Sequence, residues 1–397
     1  MSTAYRPLPP TLTAALAVAL AVALAVAVAA CDTSSCESSG LNCPPGPGQE
    51  DVVAGVSLSA LFAPPRGAEV EAVLAGWRAG VPASRQAVLR DVAVVDLGER
   101  ETVRVVQGVS ETGVRFVGAL RLPAREAGDA RTRPVLLVLG PDADADVGAT
   151  VRRLPVRDDL AGEFATLHLA YRGGTLRVGG QSFSSPGPPS TYNGDAEDAY
   201  ALVAGLASLG GLAGVDRRRV AVAGEGRGGA VALLYAARAK ARGRAVPAYV
   251  LSLAAPASLF TPSVETAARR FLTDRPVGDF PGIADALAAT AGRVRDGEAT
   301  VEQARLELLR RSAAPFFAPP RGAAPPFVFA VFGLTGSRIT REDARALDFL
   351  TGQPENGLYL EIEDGTDASI GRDGQVLSTG ASFLCALVLS DTVAGCR

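Results

Sequence analysis

Residues 224–229 read Gly-Glu-Gly-Arg-Gly-Gly, and two chemistries can be built on that spacing. Gly224, Gly226 and Gly229 satisfy G-x-G-x-x-G, in which closely approaching backbone and a helix N-terminus cradle a pyrophosphate. The first five residues also fit G-x-S-x-G, a sharp strand-to-helix turn that presents a nucleophile, with glycine in place of the serine. The dinucleotide alternative needs an acidic residue about twenty positions on to bind a ribose. No Asp or Glu lies between Glu225 and Glu265, and several strands precede the motif that should open such a fold. The turn is therefore expected to be an elbow without its nucleophile. Because glycine tolerates positive φ, Gly226 is expected to relax the strain of that turn while keeping its path.

Other residues with chemical capacity fall where loops should follow strands. Asp142, Asp144 and Asp146 of PDADADVG, Arg172 of YRGG, Glu225, Arg227, and Asp364 and Asp367 of EDGTDAS are expected around one crevice, at the C-terminal ends of the strands. Two carboxylates such as Glu225 and Asp367 could serve as acid and base if their environments separate their pKa values. DADAD imitates the opening of a calcium loop, but Val147 stands where that loop needs glycine and Arg153 where it needs glutamate. No metal and no cofactor is expected. The single histidine, His168, lies within the apolar run FATLHLAY and reads as a partnered core residue. Ser182, Ser184 and Ser185 read as part of a Gly/Pro/Ser loop.

The elements that must position these groups alternate. Strands are predicted at 92–97, 102–108, 114–122, 134–140, 164–171, 219–224, 248–254, 327–333 and 358–363. The first three are joined by short turns, as in an antiparallel entry, and the later ones are continuous apolar runs, as in a parallel sheet covered on both faces. Helices are predicted at about 195–209, 228–241, 299–311, 340–350 and 379–389. Thr340 with Asp343 three residues on suits a helix start. Some seventy residues separate strands 248–254 and 327–333, which predicts a helical insertion at about 262–315. FAPPRGA occurs at 62–68 and again at 317–323 with unrelated flanks, and is treated as coincidence.

In this order, four segments resemble α/β-hydrolases of the prolyl oligopeptidase and dienelactone hydrolase kind over residues 86–397. They are RPVLLVLGP, AYRGG at 170–174, DAEDAYALVAGLASLGGLAGVDRRRVAVAGEGRGG, and RRSAAPFFA. The resemblance implies an α/β fold, a mostly parallel sheet with helices on both faces. Carried over residue by residue, the family's nucleophile falls on Gly226, its acid on Gly336 and its histidine on Ala368, so the triad is degenerate. Removing a whole triad costs about 10⁶-fold in a measured protease, which would leave any hydrolysis incidental.

With 48% hydrophobic residues and a net charge of −3, the 397-residue chain reads as globular and gives no reason to expect nucleic acid as a partner. Residues 11–30 are uncharged, and Val28-Ala29-Ala30-Cys31 resembles the lipobox of bacterial lipoproteins. The expected organisation is a signal peptide over 1–30, a tether lipidated at Cys31 over 31–52, a helical or irregular segment over 53–85, and the α/β-hydrolase-like domain over 86–397. Four further cysteines allow three pairings, of which Cys36 with Cys43 and Cys385 with Cys396 are the simplest. The expected function is that of an exported, membrane-anchored pseudo-hydrolase that binds a small-molecule or protein ligand as a scaffold. The alternatives are an esterase- or peptidase-like enzyme of the serine hydrolase family using an unconventional site, and a dinucleotide-binding oxidoreductase.

Overall fold

Val-, Leu- and Phe-rich runs too apolar to face water pair into one sheet. The computed structural model describes residues 51–79, 88–98, 101–123, 131–148, 160, 162–212, 214–277, 282–317, 326–335, 341–347, 356–367, 369–389 and 396. A short hairpin, β1 (Val52–Val53) and β2 (Val56–Ser57), is the first of the described elements. The main sheet uses β3 (Arg90–Asp96), β4 (Thr102–Val109), β5 (Arg115–Leu122), β6 (Arg133–Leu139), β8 (Ala165–Ala170), β11 (Val215–Glu225), β12 (Tyr249–Leu253), β13 (Phe327–Gly333) and β14 (Gly357–Ile362). Its spatial order is β14-β13-β12-β11-β6-β8-β5-β4-β3. From β14 to β8 every pairing is parallel, and β5, β4 and β3 complete the sheet antiparallel. This is the mostly parallel α/β sheet expected from the alternation of elements, and its strands match the predicted bounds to within two residues except at the start of β11, which begins four residues early. β6 and β8 precede β11 in the chain and already pair in parallel, so β11 does not open the first βαβ unit as the dinucleotide alternative requires.

Helices cover both faces. One face buries α1 (Leu58–Phe62), α2 (Gly67–Arg78), α3 (Asn193–Gly205) and α4 (Arg227–Arg242) in the largest core cluster. Between β12 and β13 the chain forms α5 (Pro262–Leu272), α6 (Ile283–Leu287), a π-helical turn (Ala288–Gly292) and α7 (Val301–Leu309) on that same face. Arg305 of α7 fastens this segment to the chain's early helices: it donates to the carbonyls of Ala60, Leu61 and Ala63, the end of α1, and pairs with Glu69. That guanidinium draws the Glu69 carboxyl down to about 2. The opposite face packs α8 (Gly374–Leu384) over β11, β12 and β13. Cys385, just after α8, is bonded to Cys396 with a Cα–Cα distance of 4.9 Å.

A small sheet departs from the loop expected around residues 182–185. There, β9 (Thr175–Val178) and β10 (Gln181–Ser184) form a hairpin, and β9 also pairs with β7 (Ala145–Asp146). Gly179 and Gly180 turn the hairpin at φ 54° and 80°, the two positive angles that a tight two-residue connection between twisted strands demands. Leu176 and Val178 then pack on Val103, Val105 and Val117 of the antiparallel half.

Candidate functional site

The elbow is built by close packing. A Cβ on Gly224 would overlap the Gly228 carbonyl, one on Gly228 would overlap the Leu139 carbonyl, and one on Gly229 would stand 2.6 Å from the Ala255 Cβ. Strand β11, helix α4 and the end of β6 thus meet with no room for a side chain at those three positions. Gly226 differs. Among the described residues, a Cβ there would find only Pro141, at 3.4 Å, which leaves space in front of the turn. Its dihedrals are φ 55° and ψ −119°, and its N–H donates to the Leu253 carbonyl at 2.8 Å. Gly226 thus takes the positive φ that glycine tolerates, and the close packing at 224, 228 and 229 keeps the path of the turn.

Three loops meet at this turn: residues 140–142 after β6, Tyr171 and Arg172 after β8, and 225–227 after β11. Tyr171 donates its hydroxyl to the Gly140 carbonyl at 3.0 Å, and the Arg227 guanidinium lies 4.5 Å from the centre of its ring. Arg227 Nε donates to Asp195 Oδ2 at 2.8 Å, and Nη2 stands at the same distance as an ionic contact. Asp195 also accepts the Tyr192 N–H at 2.9 Å. Burial works against the Arg227 charge, but Asp195 together with Tyr171 and Tyr192 outweighs it and raises its pKa. Asp195 was not foreseen. Its only signal was an acidic run, Asp195, Glu197 and Asp198, inside an otherwise apolar helix, where burial requires partners.

The foreseen residues separate into distinct environments. Arg172 is buried and bidentate to Asp198, both contacts 2.8 Å, with Ser110 Oγ at 3.3 Å, so it ties β8 to α3 rather than facing the crevice. Asp144 accepts the Thr175 N–H and pairs with Arg177, which fixes β7 against β9. Asp142 is exposed one residue beyond Pro141, and Glu225 is half-buried beside Gly226. Thr335 donates its N–H to the Gly365 carbonyl, which folds the loop bearing Asp364 and Asp367 back over the end of β13. Asp146 is exposed, and Ser185 is buried with its Oγ accepting the Val117 N–H. Gly336, Ala368, Cys31, Cys36 and Cys43 lie outside the described residues. Among the described residues, no group of three or more His, Cys, Asp or Glu is placed to hold a metal.

His168 needs a correction. It is buried as expected, in the middle of β8, but neither ring nitrogen has a hydrogen-bond partner, and the same is true of Thr166 Oγ1 two residues before it. Burial, reinforced by the Arg121 charge, pushes its pKa down to about 3. It is a neutral core residue at ordinary pH.

A family model described as alpha/beta hydrolase fold matches residues 186–320, a segment that includes α3, β11, the elbow and α4. No curated protein matches the sequence. Among solved structures, an acetyl xylan esterase from Paenibacillus sp. R4 is similar at 13% identity, over 81% of this chain and 98% of that one, with a TM-score of 0.51. Acetyl xylan esterase 1 from Thermoanaerobacterium sp. JW/SL YS485 is similar at 15% identity over 82% and 93%, with a TM-score of 0.49. The family match overturns the expectation of a catalytically empty binding or scaffold protein, because the matched segment contains the elbow itself and matches the alpha/beta hydrolase fold. Sheet order, elbow and family match agree that this chain has the α/β hydrolase fold.

Proposed function

We propose that the chain is an esterase-like hydrolase that works from the elbow without a serine there. One observation carries the proposal: the backbone at Gly226 keeps φ 55° and ψ −119° with open space before it, at the start of a sixteen-residue buried helix. The first turn of α4 supplies N–H groups that no helical carbonyl satisfies, and such groups stabilise an oxyanion in a site shielded from water. The fold shared with a protein named as an acetyl xylan esterase supports an ester as substrate.

With no hydroxyl at position 226, the nucleophile is water. A carboxylate of the crevice, Asp142, Glu225 or Asp367, takes a proton from water as its oxygen bonds to the acyl carbon. The carbonyl oxygen becomes the anion facing the N–H groups of Arg227 and its successors. The bond to the alkoxide then breaks, and the alkoxide leaves with the proton from the carboxyl group. Serine proteases lacking a triad member retain about 10³- to 10⁴-fold over water from the oxyanion site and binding. Turnover of that modest order is expected here. The test is saturable hydrolysis of p-nitrophenyl acetate by the purified intact chain, together with Asp142→Asn, Glu225→Gln and Asp367→Asn. Loss of turnover in one variant identifies the base. Turnover no faster than buffer, or turnover surviving all three substitutions, would overturn the proposal.

We also propose export and anchoring to a membrane through lipid on Cys31, supported by the apolar run over 11–30 and the small residues before the cysteine. Radiolabelled palmitate should enter the native chain and not Cys31→Ala. Equal labelling of the two, or none in either, would end that assignment.

A further inference from the structure

We infer that Arg227, Asp195 and Tyr171 form a positioning cluster that holds both walls of the elbow crevice in one geometry, an inference that rests on the esterase-like function proposed above. Arg227 is the first residue of α4, so its own N–H is the donor nearest the elbow. Its side chain turns away from the crevice and is nine-tenths or more buried, against Asp195 at 2.8 Å on one side and the face of Tyr171 at 4.5 Å on another. Tyr171 in turn donates to the Gly140 carbonyl, and Gly140 precedes Pro141, which faces Gly226. A continuous chain of contacts therefore runs from the candidate oxyanion donor, through α3 and the end of β8, to the opposite wall.

The parts have distinct physical roles. A guanidinium is always charged and must be paired when buried, so Arg227 has one low-energy position. Asp195 fixes that position and is itself held by the Tyr192 N–H, at the start of α3. The tyrosine ring stacks on the cation while its hydroxyl reaches the loop after β6. Since a misplacement of about 1 Å can cost about 100-fold in rate, a cluster of this kind acts on the chemical step without touching substrate.

The test uses the intact chain with Tyr171→Phe, Arg227→Met and Arg227→Lys. Amide hydrogen exchange is read at 140–146 and 227–231, with β13 as an internal reference, and hydrolysis of p-nitrophenyl acetate is followed in parallel. Tyr171→Phe should raise exchange in both segments, leave β13 unchanged and lower kcat about 10-fold with KM held within about 2-fold. Arg227→Met should lower kcat about 100-fold, and Arg227→Lys should recover part of it. If Arg227→Met does not fold, Tyr171→Phe decides alone, because it removes a single oxygen atom. Unchanged exchange at both segments in Tyr171→Phe overturns the inference, as does a loss confined to KM. A native chain without ester turnover would defeat the proposed function instead, and exchange would still decide whether the cluster couples the walls.

Discussion

The elbow and the middle of β8 lie two strands apart in one sheet, and both bury polar side chains, yet they treat them in opposite ways. Around the elbow, Arg227 has Asp195 and Arg172 has Asp198, each within 2.8 Å. In β8, the side chains of His168 and Thr166 are buried with no hydrogen-bond partner. The difference follows from what each group can do with its proton. A guanidinium cannot shed its charge, so burial without a carboxylate is prohibitive and the pair acquires a fixed geometry. An imidazole can remain neutral, so burial costs only its lost hydrogen bonds with water, and nothing fixes it beyond packing. Buried charge accordingly gathers where loops must be held, and the unpartnered histidine sits where the sheet alone supplies order.

The comparison can be broken at its steric base. Gly228→Ala pushes a methyl group into the Leu139 carbonyl, which belongs to the backbone and cannot swing aside. A loss of more than about 4 kcal/mol is expected, the range reserved for severe backbone or packing faults. Urea unfolding of the intact chain measures it. A loss below about 1 kcal/mol would mean that α4 shifts freely against β6, and the elbow would not be rigid.

Next in size is the ion pair behind the elbow. Arg172→Met leaves Asp198 buried without its partner and should cost about 3–5 kcal/mol. Adding Asp198→Leu should return most of that, because replacing both members of a buried pair with apolar residues is often neutral or stabilising. If the double variant is as unstable as the single, Arg172 acts mainly through its contacts with Ser110 and Glu197.

The unpartnered side of the comparison is sharpened by pH. An unfolded His168 takes up a proton below about 6.5, whereas in the folded chain burial delays uptake until about 3. Its neutral form therefore contributes full stability above about pH 6.5, and that contribution is lost as pH falls toward 3, by roughly 1.4 kcal/mol per pH unit. His168→Leu should stabilise the chain by about 1–3 kcal/mol at pH 7, by removing unsatisfied polar atoms, and should flatten that slope. Parallel pH profiles for the two proteins would show that other groups carry the acid sensitivity.

How much of this was legible in the sequence depends on the range of the interaction. The strands were, because runs such as PVLLVLG and FVFAVFG are continuous apolar segments bounded by turn residues, and burial on both faces leaves that local mark. Position 226 was also legible as the elbow, from the strand before it and the helix after it. The hairpin at 175–184 was missed although TLRV-GG-QSFS carries the two-residue turn signal; the proline and serine residues beyond it obscured the pairing. The pairing of Arg227 with Asp195 left no such mark: thirty-two residues separate them, and only the adjacency of α3 and α4 brings them together. Function was misjudged for a related reason. Missing triad residues can be read position by position, whereas retention of a strained turn by its neighbours is a property of the packed backbone.

That last point admits the smallest and sharpest test. Gly226→Ser introduces a side chain at φ 55°, where an L-residue pays about 1–3 kcal/mol in strain. Little else should be lost, since among the described residues the new Cβ would meet only Pro141, at an acceptable 3.4 Å. Gly226→Ala should cost the same within a few tenths of a kcal/mol, because the penalty belongs to the backbone and not to the hydroxyl. A much larger cost in both variants would mean that the turn has closed around glycine and that the space before it is not a site. A cost near zero in both would mean that the turn relaxes on substitution, and the contrast between a clamped elbow and a merely packed β8 would fail at the elbow.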